Sequence, residues 1–181
     1  TEGTSTTAAS YCQRAPRRTR GRHREDATRV ENGVEFTYRW ERYVIFLDSW
    51  VWVEFIFSGD KEDEAESLIE QANTAEEGGL IAPTIIAEVS YRVRVVDDRE
   101  TANEAVRAIR EFQYIESMPL IDDIAEYAAE LRFKYYEPGE RELSYADAIH
   151  VATAVVHDDC SELYSGDPDF ADLDEIETSI L

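Results

Sequence analysis

Four acidic residues of the sequence occur where short apolar strands are predicted to end or where the following helix begins. They are Asp48, Glu88, Asp147 and Asp167. Asp48 directly follows the apolar run 44–47 and precedes the apolar run 50–53, so an ionisable group lies within an otherwise buried stretch. In open parallel α/β sheets, ligands bind outside the carboxyl ends of the strands. The spacing therefore predicts that the four carboxyl groups share one edge of a sheet.

A cluster of carboxylates favours the binding of a divalent metal ion. Neighbouring carboxylates repel one another and raise each other's pKa values unless a cation neutralises them. Mg²⁺ takes oxygen ligands, keeps several waters and uses few protein carboxylates together with substrate phosphate. The two cysteines are far apart and form no CxxC pair, and the three histidines are scattered, so the sequence predicts neither a zinc site nor a disulfide framework.

Each acid also has an ordinary structural interpretation when it is taken alone. Asp48 could be the N-cap of the next helix, and Glu88 could stabilise a helix dipole near an N-terminus. Ser144 and Asp147 have the spacing of a capping box, and Asp167 lies in a Gly-Asp-Pro-Asp turn. These alternatives stay open, but the shared placement of all four acids favours a common site.

The chain from residue 44 onward alternates short apolar runs with helical periods, which predicts βα units and a mostly parallel sheet. Strands are expected at 44–47, 80–82, 120–121, 163–165 and 176–181. Helices are expected at 62–75, 84–96, 98–112, 124–135 and 144–156. Residues 89–95 alternate apolar and polar side chains as an exposed strand would, but the helical face of 84–96 is favoured, with Thr84 as N-cap.

The composition predicts one globular domain with an appendage. The 181 residues are 43% hydrophobic, which is enough for a core. Forty acids against eighteen bases give a formal net charge of −22. Such a surface repels polyanions unless salt screens it, and at 1 M the Debye length is about 3 Å. We expect either a nucleic-acid enzyme of a halophile's salt-rich cytoplasm or an acidic protein without a nucleic-acid partner.

The first 43 residues differ from the remainder of the chain. Residues 1–40 hold eight arginines and five acids, a net charge of +3, with almost no apolar periodicity before Val34. We expect residues 1–43 to be a disordered Arg-rich leader or an overcalled gene start, with Val44 as the true start, and residues 44–181 to form the domain. The apolar stretch 43–57 is interrupted by polar residues, so no membrane span or secretion signal is predicted, and the cytoplasm is expected.

Four motifs in this order resemble the PIN-domain family, especially the VapC-like toxins of toxin–antitoxin pairs. They are Leu47-Asp48-Ser49, Ala87-Glu88-Val89, the run from Ser144 to Ala154, and the run from Ser165 to Phe170. No single motif is specific, but their order and intervals are, and the resemblance covers about residues 44–181.

The resemblance implies a three-layer α/β/α sandwich with a central, mostly parallel sheet. It implies that Asp48, Glu88, Asp147 and Asp167 form the family's acidic quartet, that Asp169 is a fifth acid, and that Ser49 and Ser165 are hydroxyl positions beside the site. It also implies cleavage of RNA with Mg²⁺ or Mn²⁺, a small antitoxin partner and a homodimer.

Two other functions remain open. One is a PIN-type domain used in RNA processing or as a catalytically silent binding partner. The other is a receiver-like binding module, which needs a lysine near the end of a late strand, whereas Lys61 and Lys134 lie in predicted helices. Among the remaining residues, His150 is interpreted as a helix-face residue satisfied locally, and Arg92 as one of several arginines that could touch phosphate.

Overall fold

The computed structural model describes residues 27–31, 34–38 and 43–181. The strands are β1 (Ala27–Glu31), β2 (Val34–Tyr38), β3 (Tyr43–Leu47), β4 (Glu77–Ile81), β5 (Ile115–Ser117), β6 (Cys160–Ser165) and β7 (Glu177–Ile180). The helices are α1 (Ser49–Phe57), α2 (Glu62–Ala72), α3 (Pro83–Val96), α4 (Arg99–Glu111), α5 (Asp122–Tyr135) and α6 (Tyr145–Val156), with a 3₁₀ turn at Pro168–Phe170.

Five strands form one parallel sheet in the order β5-β4-β3-β6-β7. The central strand β3 is almost fully buried, and its Ile45 pairs with Gly79 on one side and with Glu162 on the other. The helices pack mainly in two groups, α1 to α4 and α5 with α6, and α3 also contacts α6. This confirms the expected three-layer α/β/α fold, because the crossovers from β3 to β5 and the return crossover from β5 to β6 run in opposite directions along the sheet, and right-handed crossovers then place their helices on opposite faces.

One hydrophobic core joins the sheet to both helical layers. The largest fully buried side chains are Trp52, Phe46, Phe170, Leu47, Ile69, Leu80, Ile85, Ile109, Ile124, Leu131, Leu143 and Leu163. They come from β3, β4, β6, helices α1 to α5 and two connecting segments, and α6 adds the smaller buried side chains of Ala148, Val151, Ala152 and Ala154. Packing in this core therefore positions the carboxyl end of each strand, and with it the acids that follow the strands.

The structure corrects three details of the expected elements, and the first is that helix α1 was not among the expected helices. Leu120 and Ile121 are not a strand: their side chains are 42% and 50% exposed, and the third strand of the domain is β5. Helix α3 is a helix as expected, but its N-cap is Ala82 rather than Thr84. Pro83 takes the first helical position, where its fixed φ suits a helix start, and the hydroxyl of Thr84 is free for another contact.

The leader contains a described antiparallel pair, β1 with β2, in which Ala27 is opposite Tyr38. The sequence predicts no regular structure there. Residues 1–26, which include the arginine-rich stretch, lie outside the described residues, and the division of the chain at residue 44 stays a prediction. None of the helices in the described part of the chain is both long and apolar enough to span a bilayer.

The strand order reverses between β3 and β6. From β3 the chain proceeds to β4 and β5 on one side, and it then returns to β6 and β7 on the other side. Such a topological switch point opens a crevice at the carboxyl ends of the two strands. Asp48 follows β3 and Asp167 follows β6, so the first and last acids of the predicted quartet flank this crevice.

Gly79 provides the space in which β5 packs against β4. A methyl group at this position would lie 2.7 Å from Cγ1 of Ile115 and 3.1 Å from Cβ of Ala72. We expect Gly79→Ala to lower the free energy of unfolding by about 1–3 kcal/mol, as overpacking does. The same substitution in an Ile115→Ala background should cost less, because the nearest clashing atom, Cγ1 of Ile115, is gone and the contact with Cβ of Ala72 remains. Urea unfolding of the four proteins measures this coupling, and strictly additive costs would contradict it.

Candidate metal and nucleic-acid site

Asp48 is the most deeply buried acid at the carboxyl edge of the sheet, with 3% of its surface exposed. Its backbone N–H donates to the carbonyl of Tyr164, which extends the pairing of β3 with β6 by one residue. Oδ2 accepts hydrogen bonds from the Ser165 hydroxyl at 2.8 Å and from the N–H of Trp50 at 3.3 Å. Asp48 is thus the N-cap of α1, as its ordinary structural interpretation proposed, but only one of its two carboxylate oxygens serves this role.

Asp147 and Asp167 also use one carboxylate oxygen in local structure. Oδ2 of Asp147 accepts the N–H of Ser144 at 2.7 Å and completes the capping box of α6. Oδ1 of Asp167 accepts the N–H of Asp169 at 2.9 Å and caps the 3₁₀ turn. Among the described residues, the other oxygen of each carboxylate accepts no hydrogen bond. Capping orients these acids without using up their capacity to bind a cation.

The four acids of the predicted quartet line a single cavity of about 260 Å³, which we call the acidic cavity. Ser49 and Trp50 from the start of α1, and Tyr91 and Arg92 from α3, complete much of its wall. Arg92 brings a positive charge to an otherwise acidic wall. The structure therefore brings together residues from four separate parts of the chain, as the strand-end placement predicted.

Three further predicted residues have different positions. Ser165 is fully buried and links two acids, since its hydroxyl donates to Asp48 and accepts the N–H of Asp167 at 3.0 Å. Ser49 lines the acidic cavity.

Asp169 is not part of the cavity wall, and its Oδ2 instead accepts the N–H of Glu142 at 2.9 Å. The role of Asp169 as a metal ligand remains a prediction.

His150 was missed as a site residue. It is 0% exposed, Nδ1 lies 3.0 Å from Oδ1 of Asp48, and Nε2 lies 2.8 Å from the hydroxyl of Thr84 and 3.8 Å from Oε2 of Glu88. The interpretation of His150 as a locally satisfied helix-face residue is wrong, because its partners lie on other elements. The sequence did contain one indication that His150 lies near the acids. It follows Asp147 by three residues, and residues at this spacing are neighbours on the surface of a helix.

Burial and neighbouring charges shift the pKa values of the acids and of His150 in different directions. Burial raises the pKa of Glu88, and the charges of Asp48 and Asp147 raise it further. Burial likewise raises the pKa of Asp167. Burial would also raise the pKa of Asp48, but contacts with His150 and Ser165 outweigh it, and the pKa falls below 3.8. Burial would lower the pKa of His150, yet the adjacent Asp48 carboxylate raises it above 6.5.

The fold and the cavity together define an α/β protein with a parallel sheet and an acidic crevice at the switch point of that sheet. The PIN domain model matches residues 45–176. The chain belongs to the PIN domain family, as its motifs predicted.

Solved structures with the same fold come from toxin–antitoxin systems. VapBC2 of Rickettsia felis, bound to a promoter DNA fragment, is 16% identical, with 76% of this chain and 98% of that chain covered and a TM-score of 0.58. VapC20 of Mycobacterium tuberculosis, a Sarcin-Ricin loop cleaving toxin, is 21% identical, with 74% and 97% covered and a TM-score of 0.59. A Klebsiella pneumoniae toxin–antitoxin complex is 23% identical, with 76% and 99% covered and a TM-score of 0.53. No curated protein sequence matches the chain significantly.

Ser165 should contribute to stability through its two hydrogen bonds. We expect Ser165→Ala to lower the free energy of unfolding by about 1–3 kcal/mol, because Asp48 and the N–H of Asp167 lose a buried partner. The pKa of Asp48 should rise, since Ser165 helps to lower it. Ser161→Ala is the matched control, because Ser161 is an exposed residue of the same strand. Equal urea midpoints for the two variants at neutral pH would contradict the expectation.

The pair of His150 and Asp48 should make stability depend on pH. The folded pKa of His150 is raised above 6.5, so its contribution is fully present below pH 6.5 and is lost as pH rises through the folded value. In EDTA, the free energy of unfolding of the parent minus that of His150→Asn should fall as pH rises above 6.5. The lowered pKa of Asp48 affects only the acidic range below its ordinary 3.8.

The same comparison in an Asp48→Asn background provides the control. Without the carboxylate, the main cause that raises the pKa of His150 is absent, so the difference should depend less on pH above 6.5. A parent-minus-variant difference that is constant across this range would show that His150 and Asp48 do not form an ion pair.

Proposed function

We propose that this protein is a metal-dependent endoribonuclease that hydrolyses RNA phosphodiester bonds, and that it is the toxin of a toxin–antitoxin pair. One observation carries the proposal: Asp48, Glu88, Asp147 and Asp167 line one cavity at the carboxyl edge of the sheet. Membership of the PIN domain family supports the nuclease class.

The residues of the acidic cavity fit a divalent metal ion. Oε2 of Glu88 is buried and has no hydrogen-bond partner among the described residues, and Oδ1 of Asp48 is buried with the ring of His150 at 3.0 Å as its ion-pair contact but with no hydrogen bond. Buried polar atoms normally have partners, and a carboxylate without one costs free energy. Mg²⁺ or Mn²⁺ would satisfy these oxygens, and the ion would lower the pKa of a bound water and stabilise charge on the scissile phosphate.

The chain itself contributes orientation and charge. The hydroxyl of Ser165 donates a hydrogen bond to Asp48 and orients its carboxylate. The capping hydrogen bonds of Asp147 and Asp167 each use one carboxylate oxygen and leave the other oxygen for a cation. Burial raises the pKa values of Glu88 and Asp167, and a bound cation would favour the ionised form of both carboxylates. Arg92, in the cavity wall, is the residue that we expect to contact a substrate phosphate.

The choice of RNA and of a toxin role is supported by the related folds. One of them is a toxin that cleaves the Sarcin-Ricin loop, and others are toxin–antitoxin complexes. By analogy, we propose an RNA substrate, a small antitoxin that covers the acidic cavity, and a homodimer. The net charge of −22 suggests that binding to RNA requires the screening of a salt-rich cytoplasm.

The alternatives differ in measurable ways. A receiver-like module needs a lysine in the site, whereas Lys134 forms ion pairs with Asp174 and Glu175, and Lys61 pairs with Glu64. Neither lysine lines the acidic cavity, so this function is disfavoured. An RNA-processing or silent PIN domain has the same cavity, and pull-down of a small antitoxin-like protein would separate the toxin from it.

Cleavage of labelled structured RNAs at high KCl tests the proposal. We expect the parent to cut with Mg²⁺ or Mn²⁺ and not with EDTA, and Asp48→Asn and Asp147→Asn to lose about 100-fold or more of the rate, as removal of one active-site electrostatic group does. Asparagine also caps helices, so Asp147→Asn should fold normally.

Glu130→Gln is the matched control, since Glu130 is an exposed acid on α5 outside the acidic cavity, and its rate should equal that of the parent. Circular dichroism establishes that each variant is folded. Cleavage that persists in EDTA, or acid variants that cut as fast as Glu130→Gln, would refute the catalytic assignment.

A further inference from the structure

Three buried polar atoms without hydrogen bonds belong to side chains that lie beside one another at the carboxyl edge of the sheet. They are Oδ1 of Asp48, Oε2 of Glu88 and Nδ1 of His150. Each of the three side chains offers one possible ligand atom, a carboxylate oxygen or a ring nitrogen, and the three ligand atoms lie within 4.8 Å of one another. One nitrogen and two carboxylate oxygens at this separation form a donor set for one cation, and two of the side chains, those of Asp48 and His150, are almost completely buried.

The imidazole of His150 is held in one orientation by its surroundings. Nε2 lies 2.8 Å from the hydroxyl of Thr84, and the rings of Phe46 and Phe170 lie beside the imidazole at centroid distances of 5.7 and 6.5 Å. When Nε2–H donates to Thr84, the lone pair of Nδ1 is available. Histidines that bind metals commonly have this arrangement, in which one ring nitrogen donates to a neighbour and the other is a ligand.

We infer that Nδ1 of His150 is a metal ligand, and that with Asp48 and Glu88 it makes the site prefer a first-row transition ion such as Mn²⁺ over Mg²⁺. The inference rests on the proposed function, because it concerns the same cavity, but it assigns a ligand that the acid-only prediction lacked. Mg²⁺ is a hard cation that takes oxygen ligands, whereas imidazole is a good ligand for transition ions. Asp147 and Asp167 remain for water and substrate at the outer part of the cavity.

The distance between Nδ1 of His150 and Oδ1 of Asp48 fits shared coordination. Two neighbouring ligand atoms that each lie about 2.1 Å from an octahedral ion are about 3.0 Å apart, and the observed separation is 3.0 Å. Although the atoms are close, neither has a well-aligned hydrogen bond in the described part of the chain. A histidine ligand coordinates in its neutral form, so a bound ion would replace the proton that the two side chains share in the free protein.

A purely positioning role for His150 is the alternative that the test must distinguish. In that role the ring would orient Asp48 from outside the coordination shell, and the ion would have oxygen ligands only. Pulsed electron paramagnetic resonance separates the two roles, because a nitrogen bound directly to Mn²⁺ gives a ¹⁴N modulation that a more distant nitrogen does not.

The first measurement uses the full chain loaded with Mn²⁺ at high KCl, with natural-abundance protein and with protein labelled with ¹⁵N-histidine. We expect ¹⁴N modulation that is replaced by the ¹⁵N pattern on labelling. This readout requires no substitution, so it does not depend on whether a variant folds.

The second measurement compares Mn²⁺ and Mg²⁺ binding by calorimetry. In His150→Asn the modulation should vanish and the Mn²⁺ dissociation constant should rise by about 10–100-fold or more, while Mg²⁺ binding changes much less. His157→Asn is the matched control, since His157 follows the same helix outside the cavity, and it should bind Mn²⁺ as the parent does. Thr84→Val keeps the imidazole but removes its partner, and we expect weaker Mn²⁺ binding here as well.

The outcomes distinguish this inference from the proposed function. Mn²⁺ binding that is lost in Asp48→Asn but shows no nitrogen coupling in the parent would overturn the ligand role of His150 and leave the nuclease proposal intact. Equal loss of Mn²⁺ and Mg²⁺ binding in His150→Asn would overturn the selectivity. Absence of any Mn²⁺ or Mg²⁺ binding by the folded parent would overturn both.

Discussion

The burial of the Asp48 carboxylate is the constraint on which the site depends. A charged group at this depth is costly unless it is paired, and here its partners come from three elements. Ser165 at the end of β6 and the N-terminus of α1 hold one oxygen, while His150 of α6 lies against the other. The carboxylate therefore joins both central strands to a helix of each layer, and it makes the packing of the fold and the geometry of the cavity interdependent.

The other acids show how one residue serves structure and chemistry together. Asp147 and Asp167 cap a helix and a turn through one oxygen, so their backbone and side-chain geometry is set before any cation arrives. The second oxygen of each is left without a hydrogen bond among the described residues. Preorganisation of this kind reduces the entropy that ligand binding would otherwise cost. The ordinary structural interpretations and the functional one were therefore compatible rather than exclusive.

The negative net charge of the protein would repel the polyanionic substrate that we propose for its site. Under the proposed function, a polyanionic substrate would approach a strongly acidic molecule and enter a cavity lined by four carboxylates. Metal ions bound there would reverse the local charge, and salt would remove the long-range repulsion, so that recognition would rest on short-range contacts. Arg92 lies in the wall of this cavity.

The sequence by itself determined the order of the strands and of helices α2 to α6, but not helix α1. It also determined the convergence of the four acids, because residues that follow parallel strands must meet at one edge. It could not reveal β5, an edge strand with weak alternation that packs where Gly79 leaves space, nor the start of α3 at Pro83. Only the tertiary structure decided that His150 meets Asp48 and Thr84. These residues are far apart in the chain, and no local pattern records a contact that forms when separate layers pack together.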